Sequence, residues 1–109
     1  MRLRNAFLAI CAVALTACTT TVPSNPLQAR WNGKGADTFF AAYGPPISDE
    51  AGPGGSALYK WRGGFSRGRS CTVELNVSKD YKITRIRAIS DRTDPKGGPS
   101  HCEKTLDAD

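Results

Sequence analysis

The sequence lacks the glycine-rich loop that binds nucleotide phosphates, and its one histidine is not set in a recognised hydrolase pattern. None of its 11 glycines belongs to a Gly-x-x-x-x-Gly-Lys-Ser/Thr loop, which cradles nucleotide phosphates. Its single histidine, His101, follows Ser100 and could be combined with Asp91 or Asp94 into a hydrolase triad. Ser100, however, is not framed by the glycines of a nucleophile elbow and lies in a proline- and glycine-rich segment. The sequence therefore favours a non-enzymatic protein without a cofactor.

Long hydrophobic runs are also missing. The longest mainly apolar stretch, residues 6–17, has 12 residues and would span about 18 Å as a helix. A bilayer core of about 30 Å needs around 20 residues. The stretch follows Arg2 and Arg4 and ends in small residues before Cys18, which is typical of a secretory signal peptide. We therefore expect residues 1–17 to be a leader that is removed, and not a membrane span.

The junction Leu15-Thr16-Ala17-Cys18 resembles the lipobox of bacterial lipoproteins. The resemblance implies cleavage before Cys18, a diacylglyceryl group on its thiol and acylation of the new amine, with palmitate among the expected chains. Two or more such chains anchor a protein stably. Because Thr19 rather than Asp follows Cys18, the resemblance favours the periplasmic face of the outer membrane over the inner membrane. The alternative is an ordinary signal peptide in which Cys18 is incidental.

Processing changes both the charge and the cysteine count. The remaining chain has 13 basic and 10 acidic side chains, so its net charge falls from +5 to +3. This mild balance argues against a nucleic-acid binder. With Cys11 lost and Cys18 capped, Cys71 and Cys102 remain, and one disulfide is expected in an oxidising compartment. Together with His101 they supply only three of the four ligands of a structural zinc site, so no metal is expected.

The remaining chain divides into a tether and one small domain. Residues 18–30 contain two prolines and show no apolar periodicity, so we expect a flexible tether, followed by a folded domain over residues 31–109. A helix is predicted over residues 36–43, with Gly35 as its N-cap. Gly44 and the proline after it should end this helix.

Three strands are predicted after the helix. Residues 57–61 form the first and residues 71–77 the second, in which alternate side chains from Cys71 to Val77 point inward. The third, residues 81–90, changes phase, which predicts a bulge near Thr84-Arg85. The connections over residues 48–56, 62–70 and 91–100 are expected to be loops. The predicted fold is α+β, with one short helix packed on a three-stranded antiparallel meander sheet and one disulfide.

The order of lipobox, short tether, helix and meander resembles that of a group of small proteobacterial lipoproteins. The motif Phe40-x-x-Tyr43-Gly44-x-Pro46 carries the likeness, which covers about 60 residues. The layout is similar to that of the small lipoprotein subunit of the outer-membrane β-barrel assembly machinery (the SmpA/OmlA type). That subunit has two helices before its sheet, whereas one is predicted here. The resemblance implies a fold more than an activity.

Aromatic and basic residues are the candidates for an interaction surface. Trp31 and Phe65 are the aromatic candidates, because Tyr59 and Trp61 are better suited to the core. The basic candidates lie on the connection after the first strand and on the last strand, and they are Arg62, Arg67, Arg69, Arg85 and Arg87. They either protect an edge strand by charge or face anionic headgroups or an acidic partner.

Two functions follow from these observations. The first is a membrane-anchored, non-enzymatic interaction or scaffold module that stabilises an envelope assembly through a protein partner. The alternative is a ligand-binding or inhibitory module. It would use residues 52–55 and 62–70 to hold an anionic lipid headgroup, a peptidoglycan fragment or a target enzyme.

Overall fold

The computed structural model describes residues 25–109. The predicted leader, Cys18 and the tether up to residue 24 lie outside these residues. The described chain forms one antiparallel sheet, with its strands in chain order and two helices before it. The elements are α1 (Pro26–Trp31), α2 (Ala36–Tyr43), β1 (Ser48–Ala51), a 3-10 turn (Pro53–Gly55), β2 (Ala57–Ser66), β3 (Arg69–Val77), β4 (Ile83–Ser90) and α3 (His101–Thr105). The predicted α+β class is confirmed, but the prediction of one helix is wrong.

Helix α1 lies in the segment predicted to be a tether, so that prediction is wrong for residues 26–30. The Asn25 side chain accepts a hydrogen bond from the Gln28 amide at 3.3 Å, and Pro26 occupies the start of the helix. Leu27 and Trp31, one turn apart, are both buried. The sequence did not reveal this helix because six residues with two buried positions are too few to show a helical period.

The Gln28 side chain attaches α1 to the outer edge of β4. Its amide nitrogen donates to the Thr84 carbonyl at 3.1 Å, and its amide oxygen accepts from the Ile86 amide at 2.9 Å. The connection after α1 continues along this edge, because the Gly33 amide donates to the Ile83 carbonyl at 2.7 Å. These contacts satisfy backbone groups that an open edge would leave unpaired.

Helix α2 has the predicted bounds and supplies the aromatic part of the core. Gly35 precedes it, and Gly44 ends it with a φ of 108°. Phe39 is fully buried. Its ring lies edge-on to Trp31 at 5.1 Å and to Trp61 at 5.7 Å between centroids, a favourable aromatic arrangement.

The sheet has four strands, so the prediction of three is wrong. Strand β1 lies in the segment predicted as a loop, with Ser48 opposite Lys60 and Ala51 opposite Ala57. All four of its residues are exposed. Because the strand is held by backbone pairing and buries no side chain, it has no apolar alternation that a sequence could reveal.

Strands β2 and β3 extend well into the predicted connection over residues 62–70. Only Arg67 and Gly68 form the turn between them, with φ values of 51° and 77°. Two consecutive residues with positive φ are the pattern of a type I′ turn, whose twist matches that of the flanking strands. The basic connection is therefore the end of a β-hairpin.

The predicted inward face of β3 and the predicted bulge of β4 are confirmed, but β4 begins at Ile83 rather than at residue 81, and Tyr81 is exposed. Every second residue of β3 from Cys71 to Val77 is buried. In β4, Asn76 pairs with Arg85 and Val77 pairs with Ile83, which leaves Thr84 as the extra residue of a bulge. The bulge allows Ile83 and Ile86, three positions apart, to lie in the core together.

Helix α3 covers the part of the sheet nearest the β2–β3 turn. The predicted disulfide is confirmed, since Cys71 of β3 is bonded to Cys102 of α3 with 5.1 Å between their Cα atoms. Ser100 and Glu103 form a capping box, in which each side chain accepts a hydrogen bond from the other residue's amide. This helix was not predicted from the sequence.

We expect the double substitution Cys71→Ala, Cys102→Ala to lower the free energy of unfolding by about 3 to 4 kcal/mol, because the bond closes a long loop in the unfolded chain. The two cysteines are separated by 31 residues. Urea unfolding of both forms measures the change. Two thiols that react in the native wild-type domain without reduction would contradict the bond.

Tyr43 connects α2 to the C-terminal residues. Its hydroxyl donates a hydrogen bond to the Asp107 carboxylate. Burial, with the hydrogen bond and the negative charge of Asp107 adding to it, raises the pKa of Tyr43 to about 12, against a smaller opposite effect of Arg30. The folded state therefore holds the phenol proton more tightly than the unfolded state.

This difference predicts a loss of stability at high pH. The contribution of the Tyr43 proton is complete below the unfolded pKa of about 10 and is lost as the pH rises towards 12. The difference in free energy of unfolding between wild type and Tyr43→Phe should therefore be constant at neutral pH and shrink above pH of about 10. Comparing the two proteins removes the effects of the other titrating groups. A difference that stays constant throughout would contradict the prediction.

Candidate functional site

The structure removes Trp31 from the candidate contact residues. The side chain is only 3% exposed, and its indole nitrogen donates to the Leu106 carbonyl at 2.9 Å. The expectation that it forms an interaction surface is therefore wrong. Trp31 follows a mainly polar segment, so the sequence does not indicate that it lies on the buried face of a helix.

Phe65 is the most exposed large apolar side chain among residues 25–109, at 70%. A β-bulge explains its position. Gly63 pairs with Cys71 and Ser66 with Arg69, so two residues of β2 lie opposite Ser70 alone. Strict alternation from the buried Trp61 and Gly63 would point Phe65 into the core. The bulge, with Gly64 at a φ of 65°, breaks that alternation and leaves the ring in solvent.

Arg62 lies beside the Phe65 ring. Its guanidinium carbon is 5.5 Å from the ring centroid, within the range of a cation–π contact. Its Nε also lies 3.4 Å from the Ser70 hydroxyl oxygen. The hairpin therefore presents an aromatic ring and a partly oriented guanidinium side by side.

Positive charge is concentrated at this end of the sheet, which we call the cationic end and define as residues 62–70 and 90–104. It has six Lys or Arg and three Asp or Glu side chains, whereas the other described residues have seven of each sign. The whole net charge of +3 of the described chain therefore lies there. The six cations are Arg62, Arg67, Arg69, Arg92, Lys96 and Lys104.

The three carboxylates of the cationic end bind backbone amides. Asp91 accepts from the Cys102 amide at 2.8 Å, Asp94 accepts from the Lys96 amide at 2.9 Å, and Glu103 belongs to the capping box of α3. Over residues 25–109, no carboxylate oxygen lies within 4.0 Å of a side-chain nitrogen of these six cations. Their charge is therefore not paired within the described chain.

Arg85 and Arg87 form a separate group on the sheet face opposite the core. Arg87 lies across from Glu74, whose carboxylate oxygen is 2.9 Å from both its Nε and Nη2. Arg85 lies across from Asn76. The structure thus divides the predicted basic candidates, with Arg62, Arg67 and Arg69 at the cationic end and these two on the edge strand β4.

The two segments predicted to hold a ligand do not come together. Residues 52–55 precede β2, whereas residues 62–70 include the second half of β2 and the turn after it, so residues 56–61 lie between the two segments. Six residues of strand span about 20 Å, and the turn lies farther away still. The two segments therefore do not form one compact site, and the hairpin end is the candidate that carries charge unpaired within the described chain.

Arg92 and Lys104 are functional candidates that the sequence reasoning missed. They lie far from the hairpin in the chain, in a predicted loop and near the C-terminus. Together with Arg69 they line a cleft of about 320 Å³. The expected disulfide could have indicated this grouping, because a bond between Cys71 and Cys102 brings Arg69 and Lys104, each two residues from a cysteine, close together.

Residues 64–68 match the spacing Gly-x-Ser-x-Gly, and Ser66 lines the same cleft as His101 and Asp94. A nucleophile elbow is a strand-to-helix turn, whereas this segment is the end of a hairpin. The His101 Nε2 lies 2.6 Å from the Gly64 carbonyl oxygen, and Asp94 accepts from the Lys96 amide. Among the described residues, no hydrogen bond joins Ser66 to His101 or His101 to Asp94, so these three do not form a relay.

Comparison of the chain with models of protein families, with curated proteins and with solved structures finds no significant match. In the described part of the chain, no group of three or more His, Cys, Asp and Glu side chains is placed to hold a metal ion. None of the helices of residues 25–109 has the length and apolar character needed to cross a membrane. The candidate site therefore rests on the geometry and charge of the cationic end.

Proposed function

We propose that this protein is a lipid-anchored, non-enzymatic interaction module of the bacterial envelope, which docks an acidic face of a partner protein through its cationic end. The observation that carries the proposal is the 70% exposure of Phe65 beside Arg62 and next to the turn that carries Arg67. Aromatic and arginine side chains dominate the energetics of protein interfaces.

The arrangement defines the chemistry of the partner. A ring on a hairpin end suits an apolar pocket, and unpaired guanidinium groups around it suit carboxylates at the rim of that pocket. The short β2–β3 turn restrains the backbone that carries these side chains, so no loop has to be ordered on docking.

The lipobox resemblance at Cys18 supplies the location in this proposal. An acylated Cys18 would hold the domain close to the periplasmic face of the outer membrane through a few residues before α1. The partner would then be an envelope protein exposed at that membrane, which fits a role in stabilising an envelope assembly.

A crosslinked pull-down from native membranes tests the docking surface. The full chain is compared with Phe65→Ser, with Ile47→Ser as the matched control, since Ile47 is also an exposed large apolar side chain, at 58%. We expect a stoichiometric envelope protein with wild type and Ile47→Ser, and a loss of about tenfold or more with Phe65→Ser.

Two outcomes would contradict the docking proposal. One is recovery of the same partner at full yield with Phe65→Ser, and the other is an equal loss with Ile47→Ser. A Cys18→Ser form separates the contribution of the anchor, because it keeps the docking surface and should lose only the capture that depends on membrane attachment.

A second candidate function is the binding of anionic lipid headgroups. The location of the whole net charge of +3 at the cationic end favours it. Each Lys or Arg held near an anionic membrane surface contributes about 1 kcal/mol. Three arginines at the hairpin would therefore contribute roughly a hundredfold in affinity.

Liposome binding of a soluble form without Cys18 tests the second candidate. Replacing Arg62, Arg67 and Arg69 with Ser should weaken salt-sensitive binding to anionic vesicles by roughly a hundredfold. Replacing Lys34, Lys79 and Lys82 with Ser removes the same charge away from the cationic end and should have a much smaller effect. Unchanged binding of the arginine variant would rule out this candidate.

A further inference from the structure

The cleft of the cationic end lies between two parts of the chain. One wall is the β2–β3 hairpin, with Ser66 and Arg69, and the other is the segment from Arg92 to α3, with His101 and Lys104. The volume of about 320 Å³ is at the lower end of the range of small-ligand sites. The cleft is thus large enough for a small anion or one headgroup.

The charge inside the cleft is positive. Three permanent cations, Arg69, Arg92 and Lys104, line it together with one carboxylate, Asp94. One oxygen of the Asp94 carboxylate accepts a hydrogen bond from the Lys96 amide, two residues along the chain, at 2.9 Å. No carboxylate oxygen of the described chain is within 4.0 Å of the side-chain nitrogens of the three cations. An anion entering the cleft would therefore find cations that are not already paired.

The two walls are held together before any ligand arrives. The disulfide joins Cys71 of the hairpin to Cys102 of α3. The His101 imidazole adds a second link, with its Nε2 at 2.6 Å from the Gly64 carbonyl oxygen. Because a carbonyl only accepts hydrogen bonds, this nitrogen carries the hydrogen. The His101 amide also donates to the Arg92 carbonyl at 2.9 Å, which positions the outer wall.

We propose that this cleft binds a phosphate group, carried by a lipid headgroup or by a free phosphate ester. Arg69 and Arg92 supply guanidinium forks that match the geometry of a phosphate, and Lys104 adds a compact positive charge. The hydroxyls of Ser66 and Thr93, which also line the cleft, are further donors. A site fixed by a covalent bond loses little entropy when it binds. The proposal deepens the ligand-binding candidate above and rests on it.

The test is a titration followed by the backbone amide signals of the full chain in maltoside micelles, which carry no phosphate. The probes are inorganic phosphate, glycerol 3-phosphate and short-chain phosphatidylglycerol. Saturable shifts are expected at Thr93, His101 and Lys104, which border the cleft. The variants Arg92→Gln and Lys104→Gln should each weaken binding roughly two- to fivefold.

Lys96→Gln is the matched control, because Lys96 lies in the same loop but does not line the cleft. It should bind as wild type does. Saturation by phosphatidylglycerol as well as by the soluble phosphates identifies a headgroup site, and saturation by the soluble phosphates alone identifies a free phosphate ester.

Two results would overturn the site. One is the absence of saturable shifts with all three probes at their highest soluble concentrations, and the other is an equal loss of affinity in Lys96→Gln and Arg92→Gln. Binding of soluble phosphates in the cleft depends neither on a vesicle surface nor on Arg62 and Arg67, which do not line the cleft. Its failure is therefore distinguishable from a failure of vesicle binding through the hairpin.

Discussion

The bond between Cys71 and Cys102 is the constraint on which the functional end of this domain depends. It holds α3 against β3, and α3 in turn positions the loop that carries Arg92 and Thr93. This close approach requires Gly64, since a Cβ there would lie 2.6 Å from the Thr105 hydroxyl oxygen, and its φ of 65° is one that other residues rarely adopt. A helix of five residues is unstable in isolation, so the covalent link adds to the burial of Cys102 and Leu106 in holding it on the sheet.

The packed rings of Trp31, Phe39 and Trp61 belong to the core, which explains why Trp31 is not part of the binding surface. Its indole packs on Phe39 and donates to the Leu106 carbonyl, so it joins α1, α2 and the C-terminal residues. The packing of Trp61 requires a glycine at position 63, because a Cβ there would lie 2.5 Å from the Trp61 ring. Most of the large aromatic side chains of the described residues are therefore used for packing, whereas the bulge at Gly64 leaves Phe65 exposed.

Side-chain periodicity was a reliable guide only where a side chain is buried in a regular pattern. The alternation of β3 and the bulge at Thr84 followed from such patterns. The ends of α2 followed instead from the glycines that flank it, Gly35 and Gly44. Strand β1 and the last part of β2 followed from no such pattern, because β1 is exposed along its whole length and two glycines interrupt β2. The start of helix α3 is indicated in the sequence by the capping-box spacing of Ser100 and Glu103.

The candidate site could be predicted only in part, since it combines a local cluster with a tertiary one. Arg62, Arg67 and Arg69 are neighbours in the sequence, whereas Arg92 and Lys104 reach them only through the fold. The positive field has a structural cause as well as a compositional one. Asp91 and Glu103 bind backbone amides that begin α3, so the carboxylates that could have paired with these arginines stabilise the helix instead. The contacts that position the walls of the cleft are thus also the contacts that leave its cations available to a ligand.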